Sequence, residues 1–175
     1  MTIKLPEPWL RGPLPGVPSL LQPAAHAFVM AREDVSAAVA GLTTEQLWLE
    51  PGGIASAGFH VAHLTGSTDR LLTYARGDAL SDMQRDTLER ERTLPHIRPP
   101  LDGLVTAWQT GVAHALQQLS STPEASLLET RVVGRARLPS TVLGLLFHAA
   151  EHASRHTGQI VTTAKLVRGL PRSLS

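Results

Sequence analysis

The stretch FHAAEHASRHTGQI, residues 147–160, carries three histidines at intervals of four residues. Successive residues of an α-helix are rotated by about 100°, so His148, His152 and His156 lie about 40° apart on one helix face. Leu145 and Gln159 fall within the same arc. The pattern indicates that this histidine stripe belongs to the face that points into the protein, where unpaired imidazoles are costly.

The spacing of apolar residues predicts four long helices, at about residues 19–40, 56–76, 101–119 and 140–168. Residues 77–100 are too polar for a core segment and predict a long crossover between helices two and three. Four helices of about 20 residues with one long connection are typical of an all-α four-helix bundle with a crossover.

Local signals mark the ends of these helices. Ser56 and Ser140 are expected to be N-caps, and Gly77 is expected to end the second helix. One or two helical turns are expected around residues 82–92, and residues 131–140 are compatible with strand geometry.

Five prolines within the first 18 residues predict an extended arm over residues 1–17, because proline fixes φ and lacks an amide proton. No repeat is present, and the 175 residues are expected to form one domain. The N-terminus resembles neither a signal peptide nor a membrane span, and no run of 18 apolar residues occurs. We therefore expect a cytoplasmic protein that does not enter the membrane.

Composition excludes several classes of site. The chain has no cysteine, so disulfides, thiolate catalysis and cysteine-bound metals are excluded, and any metal must be held by His, Asp, Glu or water. With 16 basic and 15 acidic residues scattered along the chain, nucleic acid is not expected as a partner. Neither the zinc-protease motif H-E-x-x-H nor the di-iron motif E-x-x-H is found.

Histidines also mark the second predicted helix, at His60 and His63. If helices two and four touch, one of these two residues can meet an i, i+4 histidine pair of the fourth helix. Three neutral imidazoles with a vacant fourth position form a catalytic type of metal site, whereas structural zinc sites are closed by four protein ligands. The alternative is a buried histidine network that is satisfied by hydrogen bonds alone.

Candidates for a general acid, a general base or a substrate contact are few. Arg70 and Tyr74 share a helix face with His63, and Glu151 directly precedes His152. Arg70 and Tyr74 are suited to an anionic substrate, but an arginine at this position can equally well pair with a carboxylate.

The sequence resembles the DinB-like (DinB/YfiT) four-helix bundle superfamily. HASRHTGQI, residues 152–160, is similar to the family signature H-x-x-x-H-x-G-Q-I. SAGFHVAHLTGSTDRLLTYARG, residues 56–77, resembles the family segment in which a His followed by Leu supplies the first metal ligand. EPWLRG, residues 7–12, is similar to the opening of one subgroup. The resemblance extends from about residue 7 to residue 166.

This resemblance implies a divalent metal, typically zinc or nickel, held by His63, His152 and His156, with an open position for water or substrate. It also implies a helix order other than a simple up-and-down meander, and a homodimer.

The other histidines of the second and fourth helices lie outside the three matched ligand positions. We expect His60 and His148 to support the ligands or line the cavity, with His60 as the reserve ligand. Gln159 matches the glutamine of the signature and is expected to orient a ligand imidazole.

Relatives with known activities include transferases and an isomerase that use low-molecular-weight thiols. The resemblance therefore favours a metal-dependent enzyme with a small-molecule substrate, either a thiol S-transferase or a hydrolase. The alternative is a non-catalytic dimeric bundle with a structural or vestigial histidine cluster, which acts through a protein partner.

Overall fold

A computed structural model describes residues 6–170 of the chain. Within this range the protein is an all-α bundle with one two-stranded hairpin. Its helices and strands are α1 (Gln22–Val39), α2 (Thr44–Trp48), α3 (Ala57–Arg76), α4 (Asp82–Arg90), α5 (Leu94–Ile97), α6 (Leu101–Ser121), β1 (Thr130–Val133), β2 (Leu138–Thr141) and α7 (Val142–Gly169).

The four long helices α1, α3, α6 and α7 form the bundle, as predicted. Helix α7 packs against α1 and α3, and α6 packs against the same two helices. The α1 and α3 helices therefore face each other across one diagonal, and α6 and α7 across the other. This helix order is not an up-and-down meander, as the resemblance implied.

The long connection follows from the direction of the helices. Arg76 donates a hydrogen bond to Gln118 at 2.6 Å, and Thr65 lies beside Gly111, so α3 and α6 run parallel. A tight turn cannot join two parallel neighbours, and a 20-residue helix is about 30 Å long. Residues 77–100 return along the bundle, which confirms the predicted crossover.

The crossover packs on α3 as α4, a 3-10 turn (Glu91–Thr93) and α5. Gln84 donates hydrogen bonds to Asp69 and Thr73 of α3, both at 2.7 Å. Residues 77–100 were expected to stay out of the interior because of their polarity. This expectation is wrong at Glu91, which is buried. Its carboxylate is tolerated there because two α3 side chains bind it.

Two of the three predicted helix ends are confirmed. Ser56 accepts a hydrogen bond from the Phe59 amide at 3.1 Å, and Gly77 ends α3 with a left-handed φ of 87°. The predicted N-cap at Ser140 is wrong, since Thr141 accepts from the Gly144 amide at 3.0 Å. Ser140 lies one residue too early to be the cap, because strand β2 runs to Thr141 and α7 begins directly after it at Val142.

The described part of the N-terminal arm, residues 6–17, lies against α1. The prediction of an extended arm is wrong at Pro8–Leu10, which form a 3-10 turn, because the fixed φ of a proline also suits the first residue of a helical turn. Arg11 forms a two-pronged ion pair with Glu33 at 2.6 and 2.7 Å, and Gln22 hydrogen-bonds the backbone of Leu14 at 2.8 and 3.0 Å. A 3-10 turn at Ser19–Leu21 precedes α1, which therefore begins three residues later than predicted.

The core lies between the four long helices and is filled mainly by alanine, valine and leucine. The largest side chains without solvent contact are Trp108, Phe28, Leu21, Leu47 and Leu64. Among residues 6–170, none of the helices combines the length and apolar character needed to cross a membrane.

Candidate metal centre

Three histidines converge between α3 and α7. His63, His152 and His156 each offer a ring nitrogen, and these three atoms lie within 4.8 Å of one another. The ring centroids are 4.4 Å apart for His152 and His156, 4.8 Å for His63 and His156, and 5.4 Å for His63 and His152. The antiparallel packing of α3 on α7 places one ligand from α3 opposite two ligands one turn apart on α7.

Each of these three rings has a partner at its Nδ1 atom. The pairs are His63 with Glu91 Oε2 at 2.8 Å, His156 with His60 Nδ1 at 3.1 Å, and His152 with Ser67 Oγ at 3.4 Å. When Nδ1 donates to such a partner, the proton of the neutral ring is on Nδ1 and the lone pair is on Nε2. In each ring with that tautomer, Nε2 is then the nitrogen that can bind a cation.

The surroundings favour neutral rings, which is the form that binds metal. Burial and the neighbouring His152, His63 and His60 lower the pKa of His156 to about 4. Burial, followed by neighbouring positive charge, also lowers the pKa of His60 and of His152 below the ordinary value. These rings are therefore uncharged at neutral pH.

The crossover supplies Glu91, a site residue that the sequence analysis missed. Glu91 accepts from Arg70 Nη1 at 2.8 Å through Oε1 and contacts His63 through Oε2. Burial alone would raise the pKa of Glu91, but the hydrogen bonds from His63 and Arg70 outweigh burial and lower it. The one available sequence signal was the spacing of Glu91 and Leu94, three residues apart on one helical face.

A glycine makes room for this ion pair. A Cβ atom at Gly66 would lie 2.9 Å from both Arg70 Nη1 and Glu91 Oε1, so at least one of these two side chains would have to shift. The absence of a side chain at this α3 position therefore lets the carboxylate of Glu91 reach His63 and Arg70.

The rim of the cluster carries His148 and Glu151. The ring centroid of His148 lies 5.7 Å from that of His152, and its Nδ1 atom is 3.4 Å from Glu151 Oε2. Glu151 also pairs with Arg155. His148 is exposed, so a titratable group stands beside the cluster in contact with solvent.

The other predicted site residues lie apart from the three ligands. Arg70 is buried and takes the carboxylate-pairing role that the sequence analysis had left open. Tyr74 lines a separate cavity of about 900 Å³ at the hairpin end of α3. Gln159 is exposed, and within residues 6–170 no hydrogen bond joins it to the three rings. His60 is buried and contacts His156 rather than standing among the three converging nitrogens.

These residues suit a divalent cation. Imidazole nitrogen is a ligand that zinc and nickel accept, and three such donors converge on one point. Among the described residues, no fourth His, Asp or Glu joins this group. A cation held here would keep an open coordination position, as catalytic metals do.

The fold and the cluster define a helical bundle with a candidate metal centre between two of its helices. A comparison with protein-family models matches residues 27–160 to the DinB superfamily. The match covers most of the chain, which therefore belongs to the DinB superfamily. No curated protein sequence gives a significant match.

Proposed function

We propose that the protein is a metal-dependent enzyme that binds one zinc or nickel ion through His63, His152 and His156. The observation that carries this proposal is the convergence of three imidazole nitrogens within 4.8 Å, with no fourth protein ligand among residues 6–170. An open position is what distinguishes a catalytic site of this type from a structural one.

A bound divalent metal would supply Lewis-acid chemistry, lowering the pKa of a water or thiol at its open position toward neutrality. The protein orients the three imidazoles through Glu91, His60 and Ser67. Such supporting hydrogen bonds fix the tautomer and the orientation of a ligand histidine.

At the rim, His148 is the group placed to take up the proton that the nucleophile loses. Its exposed ring stands next to His152, and its Nδ1 atom lies 3.4 Å from Glu151 Oε2. We propose that His148 and Glu151 together pass this proton to solvent.

The substrate class follows from the occupant of the open position. If a low-molecular-weight thiol occupied it, the enzyme would be an S-transferase: the thiolate sulfur would bond to an electrophilic carbon of the substrate, and the bond from that carbon to a leaving group would break, the leaving group departing with its electron pair. With water there, the same site performs a hydrolysis. We propose the S-transferase reaction first, because family relatives with known activities use thiols in this way.

The first test is elemental analysis of the protein purified without an affinity tag. We expect about one zinc or nickel ion per chain, and loss of that ion in His63→Ala. His114→Ala is the matched control, since His114 is exposed on α6 outside the cluster. The metal-site proposal is wrong if the parent binds no divalent metal even after reconstitution.

The second test concerns activity. The loaded protein is screened with low-molecular-weight thiols and model electrophiles, following loss of free thiol. Metal-dependent turnover that chelation abolishes supports the S-transferase. If chelation lowers only the melting temperature and no thiol or ester substrate is turned over, the non-catalytic alternative with a structural metal is favoured.

A further inference from the structure

The crossover is anchored to the bundle by a carboxylate. Within residues 77–100, Glu91 is the one fully buried residue. The apolar side chains of the segment contribute less, since Leu88 and Ile97 are exposed and Leu94 is half-buried. Beside the two hydrogen bonds from Gln84 to α3, docking of this segment therefore depends on the partners of Glu91.

Both partners of Glu91 are side chains of α3, and one of them is a candidate metal ligand. Arg70 Nη1 lies 2.8 Å from Oε1 of Glu91, and His63 Nδ1 lies 2.8 Å from Oε2. A buried carboxylate depends on such partners, because removing either of them leaves its charge less fully compensated. The docked crossover and the orientation of His63 thus require each other.

The same contact selects the tautomer that metal binding needs. The carboxylate can only accept, so the proton of neutral His63 is on Nδ1 and its lone pair is on Nε2. A ring without this acceptor is free to carry its proton on Nε2 or to rotate. Glu91 therefore holds His63 in the metal-binding form.

We propose that Glu91 is a positioning residue for the metal centre, and that through it metal binding and docking of the crossover stabilise each other. The proposal rests on the proposed metal site. Binding of a cation at Nε2 of His63 fixes the ring with Nδ1–H toward Glu91, which favours the docked crossover. By linkage, the factor by which bound metal favours the docked crossover equals the factor by which undocking of the crossover lowers the affinity for metal.

The test combines zinc affinity with hydrogen exchange on the full chain. In the parent, zinc is expected to slow amide exchange in peptides that cover residues 82–97. Glu91→Gln is expected to weaken zinc binding about 10- to 100-fold, measured by competition with a chelating dye, and to remove most of the zinc-dependent protection. Glu89→Gln is the matched control, because Glu89 is exposed on the same segment, and it should behave like the parent.

The outcomes separate this inference from the metal site itself. If the parent binds no divalent metal even after reconstitution, both proposals are wrong. If the parent binds zinc but exchange over residues 82–97 does not change, or if Glu91→Gln keeps the parent affinity, only the role of Glu91 is wrong. A purely structural Glu91 would lower the stability of the variant and leave its zinc affinity unchanged. Should Glu91→Gln not fold, the exchange comparison in the parent decides alone.

Discussion

Replacing Gly66 by alanine should destabilise the protein, although alanine is the better helix former. The new Cβ would lie 2.9 Å from Arg70 Nη1 and from Glu91 Oε1, and both side chains are about nine-tenths buried and already paired. Disrupting a charged hydrogen bond costs about 1.5–3 kcal/mol, while the helix propensity gain is about 1 kcal/mol. The expected net loss of unfolding free energy is about 0.5–2 kcal/mol. For a domain of this size, each kcal/mol lost lowers Tm by about 2–4 °C.

The assay is urea unfolding of the metal-free protein, followed by circular dichroism. Gly111→Ala is the matched control, since Gly111 lies in the middle of α6 and its Cβ would meet only Thr65 at an ordinary 3.8 Å. The control should gain up to about 1 kcal/mol. If Gly66→Ala is stabilised as much as Gly111→Ala, the Arg70–Glu91 pair does not have the energetic role that its geometry indicates.

Four further outcomes are expected. His152→Ala should lose the metal while circular dichroism shows that its helices are retained; metal at parent stoichiometry in the variant would contradict the ligand assignment. Because the folded-state pKa of His156 is about 4, the unfolded chain takes up protons below about pH 6.5 that the folded chain does not. The unfolding free energy of the metal-free protein should therefore be highest above about pH 6.5 and decrease as the pH is lowered toward 4. In urea titrations, His156→Gln should make the unfolding free energy less dependent on pH over this range. Zinc at 100 times its Kd should add about 2.7 kcal/mol, read as a rise in Tm that a chelator reverses; an unchanged Tm would argue against binding to the folded state. Light scattering should give twice the 18.8 kDa chain mass if the expected homodimer forms, and a monomer mass would refute it.

Local patterns were sufficient to predict most of the fold. The 3.6-residue spacing of apolar side chains located all four long helices, and Ser56 and Gly77 marked ends that depend only on neighbouring backbone groups. Thr141 and Ser140 are adjacent hydroxyl residues with similar capping ability. Both lie in strand β2, and Thr141 is the cap because the strand ends there and α7 begins at Val142. The residue at which the strand ends is not visible in the local sequence.

The candidate site could be predicted only in part. The interval of four between His152 and His156 places both rings on one face in any helix, whereas the choice of His63 over His60 depends on how α3 is rotated against α7. The burial of Glu91 depends on Arg70, which is 21 residues away, and on the space at Gly66. A hydropathy pattern describes the polarity of a segment and carries no information about such a distant partner.

The pairing of α3 with α7 also determines when the metal centre can form during folding. His63 and His152 are separated by 89 residues, so the third ligand meets the α7 pair only after the chain has closed a large loop. Contacts this far apart in sequence are made slowly. On the ribosome, a chain that ends before α7 holds only His63 of the three ligands. Metal binding at the proposed three-histidine site would therefore be a late event, and its rate in a refolding experiment would report the completion of the bundle rather than the formation of its individual helices.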